Sequence, residues 1–127
     1  MKDLVKKAIE ARKKAYAPYS KFKVGAALEA SNGKVYVGCN VENSSYGLTL
    51  CAERVALFKA VSEGVNKFKR IAIVADTKRP CPPCGMCRQA LYEFAPDLEV
   101  VMANMKGKMK KVKLKQLLAH PFSLNNH

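Results

Sequence analysis

Leu4, Val5, Ala8, Ile9, Ala11 and Ala15 recur at helical spacing, with Arg12 on the same stripe, and predict a first helix that ends before Pro18. Beyond it the period shortens. Residues 22–29 and 34–40 read as two strands joined by Ser31-Asn32-Gly33, because Asn-Gly supplies the positive φ angles of a tight hairpin. A helix is expected over 51–63, stopped by Gly64, and an apolar strand over 70–75. Another helix over 84–94 ends before Pro96; a strand follows over 98–103, then a fifth over 109–112 ahead of a short last helix. This alternation predicts an α/β fold of three layers, α/β/α, around a mixed sheet of about five strands. The helices opening at Cys51 and Cys84 would follow strands and meet at one sheet end, where α/β sites lie.

Composition adds scale and compartment. With 127 residues, 49% of them apolar, one domain spanning 1–127 is expected, without internal repeat, linker or bilayer-length apolar run. The N-terminus lacks the charged region and apolar stretch of a signal sequence, so a cytoplasmic, reducing location is expected.

The five cysteines, Cys39, Cys51, Cys81, Cys84 and Cys87, change the picture most. Their odd number and crowded spacing suit metal capture better than a disulfide framework. Cys51, Cys84 and Cys87 can give three thiolates with Glu53 beside them, and three protein ligands leave the open position of a catalytic zinc. Adding Cys81 instead gives a closed four-thiolate structural knuckle, and Cys81-Pro82-Pro83-Cys84 also has the spacing of a redox pair. Pro82 and Pro83 argue for the three-ligand version, since they stiffen the approach to Cys84 at a helix start and leave Cys81 in the loop. Cys39, in an apolar strand, reads as a small buried side chain. Three thiolates on one divalent zinc sum to minus one, so positive groups must offset them. Two helix N-termini would help, and Arg54 or Arg88 is placed to donate hydrogen bonds to a thiolate.

The blocks Ala17-Pro18-Tyr19-Ser20-Lys21-Phe22-Lys23-Val24-Gly25-Ala26-Ala27-Leu28, Asn40-Val41-Glu42-Asn43, Cys51-Ala52-Glu53-Arg54 and Pro83-Cys84-Gly85-Met86-Cys87-Arg88-Gln89 follow one another over nearly the whole chain. Together they closely resemble the cytidine deaminase family, in its short homotetrameric form. The resemblance implies Cys51, Cys84 and Cys87 as ligands of Zn2+ and Glu53 as the proton shuttle that serves water and N3 of cytosine while C4 is attacked. It further implies Asn40 and Glu42 on the sugar hydroxyls, Phe22 against the base, and backbone near Ala52 reading the pyrimidine edge. Without the resemblance, Asn40 and Glu42 are polar residues at a strand end and Phe22 a core aromatic. Leu117-Leu118-Ala119-His120-Pro121-Phe122 is similar to the segment whose phenylalanine reaches a neighbouring subunit's site, although Ala119 replaces the usual proline. The family commonly has a small residue other than cysteine at the position of Cys81.

Charge brings in the rival classes. Lysine plus arginine number 23 against 10 acids, a formal net charge of +13, and six lysines lie between Lys106 and Lys115. A polynucleotide track would interleave aromatics for stacking, and that run has none. Met109, Lys111 and Lys113 alternating with Lys110, Val112 and Leu114 read instead as a strand with a lysine-rich solvent face that discourages edge-to-edge association. The expected function is hydrolytic deamination of cytidine and deoxycytidine in pyrimidine salvage, with a nucleoside as the only partner besides other copies of the chain. Alternatives are a deaminase of a related aminopyrimidine nucleoside, such as a blasticidin-type antibiotic, and a zinc-stabilised nucleic-acid-binding protein. The Asn40–Glu42 pair and the Phe22 block favour the ordinary nucleoside.

Overall fold

Strand direction decides where the chemistry can gather. In the computed structural model, which describes residues 1–124, five strands stand in the order β2-β1-β3-β4-β5. These are β1 (Val24–Ala30), β2 (Val35–Cys39), β3 (Phe68–Ala75), β4 (Glu99–Asn104) and β5 (Met109–Lys113). β1 is antiparallel to both β2 and β3, β3 and β4 are parallel, and β5 returns antiparallel. β2 and β3 therefore run the same way on either side of β1. The connections leaving their carboxyl ends emerge at the same end of the sheet, and they lead to helices α2 (Ala52–Ser62) and α3 (Gly85–Phe94).

Side chains alternate between two faces with the period of a pleated strand. Ala26, Leu28, Ile71, Ile73, Val100 and Met102 point to one face, where they pack with Ala56 and Leu57 of α2 and Leu91 of α3. Ala27, Ala72, Val74, Val101 and Ala103 point to the other and pack with Leu4, Val5 and Ala8 of helix α1 (Lys2–Arg12). With helices on both sides, β3 and β4 need continuous apolar runs, as the sequence has. Full burial of each Leu or Ile in this core contributes about 1.5–3 kcal/mol.

Glycines let the helices come close. At Gly25 an added Cβ would run into the carbonyl of Ala8 and would lie 2.7 Å from the amide nitrogen of Arg12 in α1. At Gly38 it would lie 2.5 Å from the carbonyl oxygen of Ala52 and 2.6 Å from the amide nitrogen of Ala56 in α2. The hairpin is thus gripped from both faces by helix backbone.

Several boundaries differ from those expected. α1 ends at Arg12 because the amides of Lys13, Lys14 and Ala15 bond to carbonyls three residues back, and Tyr16 then bonds to the Asn40 carbonyl. Phe22 and Lys23 precede β1, held by the Asn40 side chain instead of a strand ladder. β3 begins two residues early, at Phe68, where a register shift at Glu29/Ala30 admits it to the sheet. A short 3-10 turn, Tyr46–Leu48, interrupts the connection into α2. Cys39 is only half-buried, since it ends the outer strand beside a cleft. β5 is followed by helix α4 (Leu114–Leu117), and Lys110, Lys111 and Lys113 are exposed on this outer strand. Lys111 lies 3.6 Å from Glu99 and Lys115 lies 2.8 Å from Asp97.

Candidate active site

Two helix starts meet at the shared end of β2 and β3. Cys51 is the N-cap of α2 and Cys84 the N-cap of α3, each with extended backbone that turns its side chain to the front of its helix. Pro83 is fully buried and fixes the chain just ahead of Cys84. Cys87 lies one turn into α3, and its amide donates to the Cys84 sulfur at 3.4 Å. The sulfurs of Cys51 and Cys84 are 3.4 Å apart and those of Cys84 and Cys87 3.1 Å. All three lie within 4.8 Å of one another.

These separations suit a single zinc ion. Zn–S bonds of about 2.3 Å place two sulfurs of a tetrahedral centre about 3.8 Å apart, close to what the unconstrained thiols already show. Cys81 does not join the triad. Its amide bonds to the Ala103 carbonyl, its thiol is directed to the Pro82 carbonyl, and burial followed by the nearby Glu53 charge pushes its pKa up to about 11. The four-thiolate knuckle expected as an alternative is therefore not formed.

Electrostatics within the triad are uneven. The Cys51 thiol is lowered to about 5, first by the neighbouring Cys87 thiol and then by Arg54, against the cost of burial. Cys87 moves the opposite way, because the proton shared with Cys51 stays on it and because it is buried. Arg54 Nη2 lies 3.5 Å from the Cys51 sulfur and 3.4 Å from the Thr49 carbonyl. Arg88 takes a different part: it donates to the carbonyls of Pro83 and Leu117 and makes no thiolate contact among the described hydrogen bonds.

A cavity of about 240 Å3 opens over this cluster, with Glu53, Cys51, Ala52, Cys84 and Cys81 on its wall and Phe22, Asn40 and Glu42 around it. Glu53 is only 3% exposed, and burial, reinforced by the charge at Cys51, raises its carboxyl pKa. The carboxyl thus carries a proton more readily than a solvated one. Asn40 and Glu42 lie beyond the end of β2, where Val41 bridges Tyr16 and Leu50, yet both still border the cavity. Asn40 accepts from the Val24 amide at 2.8 Å and donates to the Phe22 carbonyl at 2.7 Å, which leaves one lone pair and one N–H of its carboxamide. Glu42 accepts the amides of Tyr19 and Ser20 at 3.0 and 3.1 Å, and the Ser20 hydroxyl binds its other oxygen. That hydroxyl is the leading reason its pKa is lowered.

Phe122 lies elsewhere. It is absent from the cavity wall and 61% exposed, with its backbone held by Gln89. Ser20, Arg88 and Gln89 are contacts the motifs contained but did not explain, because their partners are backbone groups set by tertiary structure. A larger cleft of about 490 Å3 runs along the outer edge of β2 beside Lys6, Lys14, Cys39 and Lys59, and none of Cys51, Cys84 and Cys87 lines it.

Comparison with known proteins places this arrangement in a class. Residues 1–104 match the model of the cytidine and deoxycytidylate deaminase zinc-binding region, so the site is that of a zinc-dependent hydrolytic deaminase. The chain is 54% identical over 121 residues to the cytidine deaminase of Halalkalibacterium halodurans, covering 94% of this chain and 92% of that one. The crystal structure of cytidine deaminase from Burkholderia pseudomallei superposes with a TM-score of 0.93 at 52% identity, over 95% of this chain and 98% of the other. The blasticidin-S deaminase of Bacillus cereus is more distant, 32% identical over 114 residues, covering 84% and 81%. This chain belongs to the cytidine and deoxycytidylate deaminase family.

Proposed function

We propose that the protein converts cytidine and deoxycytidine to uridine and deoxyuridine with release of ammonia, in pyrimidine salvage. The observation that carries this reading is the buried carboxyl of Glu53 on the same cavity wall as Cys51 and Cys84, with Cys87 behind them. Cys51, Cys84 and Cys87 would hold the zinc, which when bound supplies a Lewis acid that makes water nucleophilic near neutral pH. Glu53 takes the proton released as water attacks C4 of the base and passes it to N3. The same carboxylate then takes the proton of the hydroxyl now on C4 and delivers it to the amine, so that the C4–N bond breaks, ammonia leaves and a C4 carbonyl remains; one group serves both transfers. Its burial supports this part, because a raised pKa brings proton uptake and release closer together in energy.

Phe22 packs against the base, the backbone at Ala52 reads its edge, and Asn40 and Glu42 bind the sugar hydroxyls. Ser20 keeps Glu42 ionised for that task. Arg54 offsets thiolate charge at Cys51. Residues 1–127 act as one catalytic domain in a cytoplasmic homotetramer, with Phe122 reaching the site of a second copy. Among the described residues no helix is long and apolar enough to cross a membrane.

The test is ammonia and uridine formation from cytidine by purified protein beside Glu53→Gln, with zinc content measured in both. Turnover lost in a zinc-replete variant supports the reading. A zinc-loaded native protein inert on cytidine but active on blasticidin S or on a cytosine oligonucleotide would overturn the substrate.

A further inference from the structure

The residues directly after Cys87 hold the C-terminal segment at two points. Arg88 Nη1 donates to the Leu117 carbonyl at 2.7 Å while its Nε donates to the Pro83 carbonyl at 2.9 Å, so one guanidinium ties the cysteine loop to α4. Gln89 Nε2 donates to the Phe122 carbonyl at 2.8 Å, and its Oε1 accepts the Phe122 amide at 3.1 Å. A carboxamide presents a donor and an acceptor in one plane, and here both meet the N–H and C=O of one residue, as a neighbouring strand would. Phe122 is 61% exposed and does not line the chain's own cavity, so deep burial in its own core is not what fixes its backbone. An aromatic ring held in place on the surface by the helix that carries Cys84 and Cys87 is presented to something beyond the chain.

We infer that Gln89 is a positioning residue, which fixes Phe122 so that the ring enters the substrate cavity of a second copy of this chain and lowers that site's KM. The inference rests on the role of Phe122 proposed above. It goes further by naming what sets the ring's position, and it ties that position to the thiol-bearing helix.

A double-mutant cycle separates the two claims. Phe122→Ala removes the ring but leaves the backbone for Gln89 to hold. Gln89→Ala should raise KM for cytidine about fivefold with kcat within about twofold, the effect expected when two hydrogen bonds that act on binding are lost. In the Phe122→Ala background the same change should be silent. Amide exchange at Phe122 should quicken in Gln89→Ala with zinc content unchanged, and Gln89→Glu, which keeps the acceptor and loses the donor, should fall between. Additive effects of the two substitutions, or an unchanged KM in Gln89→Ala while Phe122→Ala raises it, would overturn the positioning role alone. An unchanged KM in Phe122→Ala would overturn the intersubunit reading and the positioning role with it.

Discussion

Gly38 in the outer strand lies directly beneath Ala52 in the first turn of α2, so close that a Cβ on Gly38 would come within 2.5 Å of the Ala52 carbonyl oxygen. That first turn starts at Cys51 and carries Glu53. The height of a helix above its sheet is therefore set by a residue with no chemistry of its own. Gly38→Ala must lift the start of α2 away from Cys84 and Cys87. It is expected to cost about 1–3 kcal/mol of stability, as overpacked cores do, and to weaken zinc retention. Thermal unfolding with and without chelator measures both, and a variant with unchanged zinc retention would contradict the account.

Arg54 Nη2 lies 3.5 Å from the Cys51 sulfur. Arg54→Ala removes its hydrogen bond and leaves the thiolates more electron-rich, which weakens the Lewis acidity of the metal they hold. Activity should fall about 10- to 100-fold, the range seen when hydrogen bonds behind metal ligands are lost. Arg54→Lys should recover part of it; turnover and zinc stoichiometry on the same samples decide the matter.

Glu42 gives a pH signature. Its folded pKa is lowered from 4.5, chiefly by the Ser20 hydroxyl, so ionisation of Glu42 stabilises the fold above the ordinary carboxylate range. That contribution is lost as pH falls through the lowered value. Ser20→Ala should be less stable than the native chain at neutral pH, with the gap narrowing as the medium is acidified below about 4.5. Denaturant titrations at several pH values measure it, and a gap that widened in acid would exclude the mechanism.

Cys81 borders the cavity but stands outside the thiol triad. Cys81→Ser should keep its zinc and most of its activity, whereas Cys84→Ser should lose metal. Metal analysis of the two purified variants is sufficient. Loss of zinc from the first would restore the four-thiolate alternative.

Much of this was legible in the sequence because it depends on local patterns. The inner strands read as apolar runs and the last from alternation with lysine, the hairpin from Asn32-Gly33, and helix starts are expected at Cys51 and Cys84; all appear in the fold. The converging sulfurs followed from cysteine spacing. What did not read depends on partners distant in sequence. The early end of α1 depends on Tyr16 bonding across to the Asn40 carbonyl. The part taken by Arg88 depends on where the Leu117 carbonyl falls, 29 residues away, and nothing in a motif encodes that. Nothing in the strand pattern singles out Gly38, since its lack of a side chain matters only against the helix that packs on it.

The far end of α2 is as open as its near end is constrained. Eleven residues of helix separate the thiol cluster from the turn at 63–67, a distance of about 16 Å at helical rise. Glu63, Gly64, Asn66 and Lys67 there are exposed. A peptide tag or fluorophore spliced into that turn would therefore report on the intact enzyme without touching the metal, which makes residue 66 a natural handle for immobilisation or imaging.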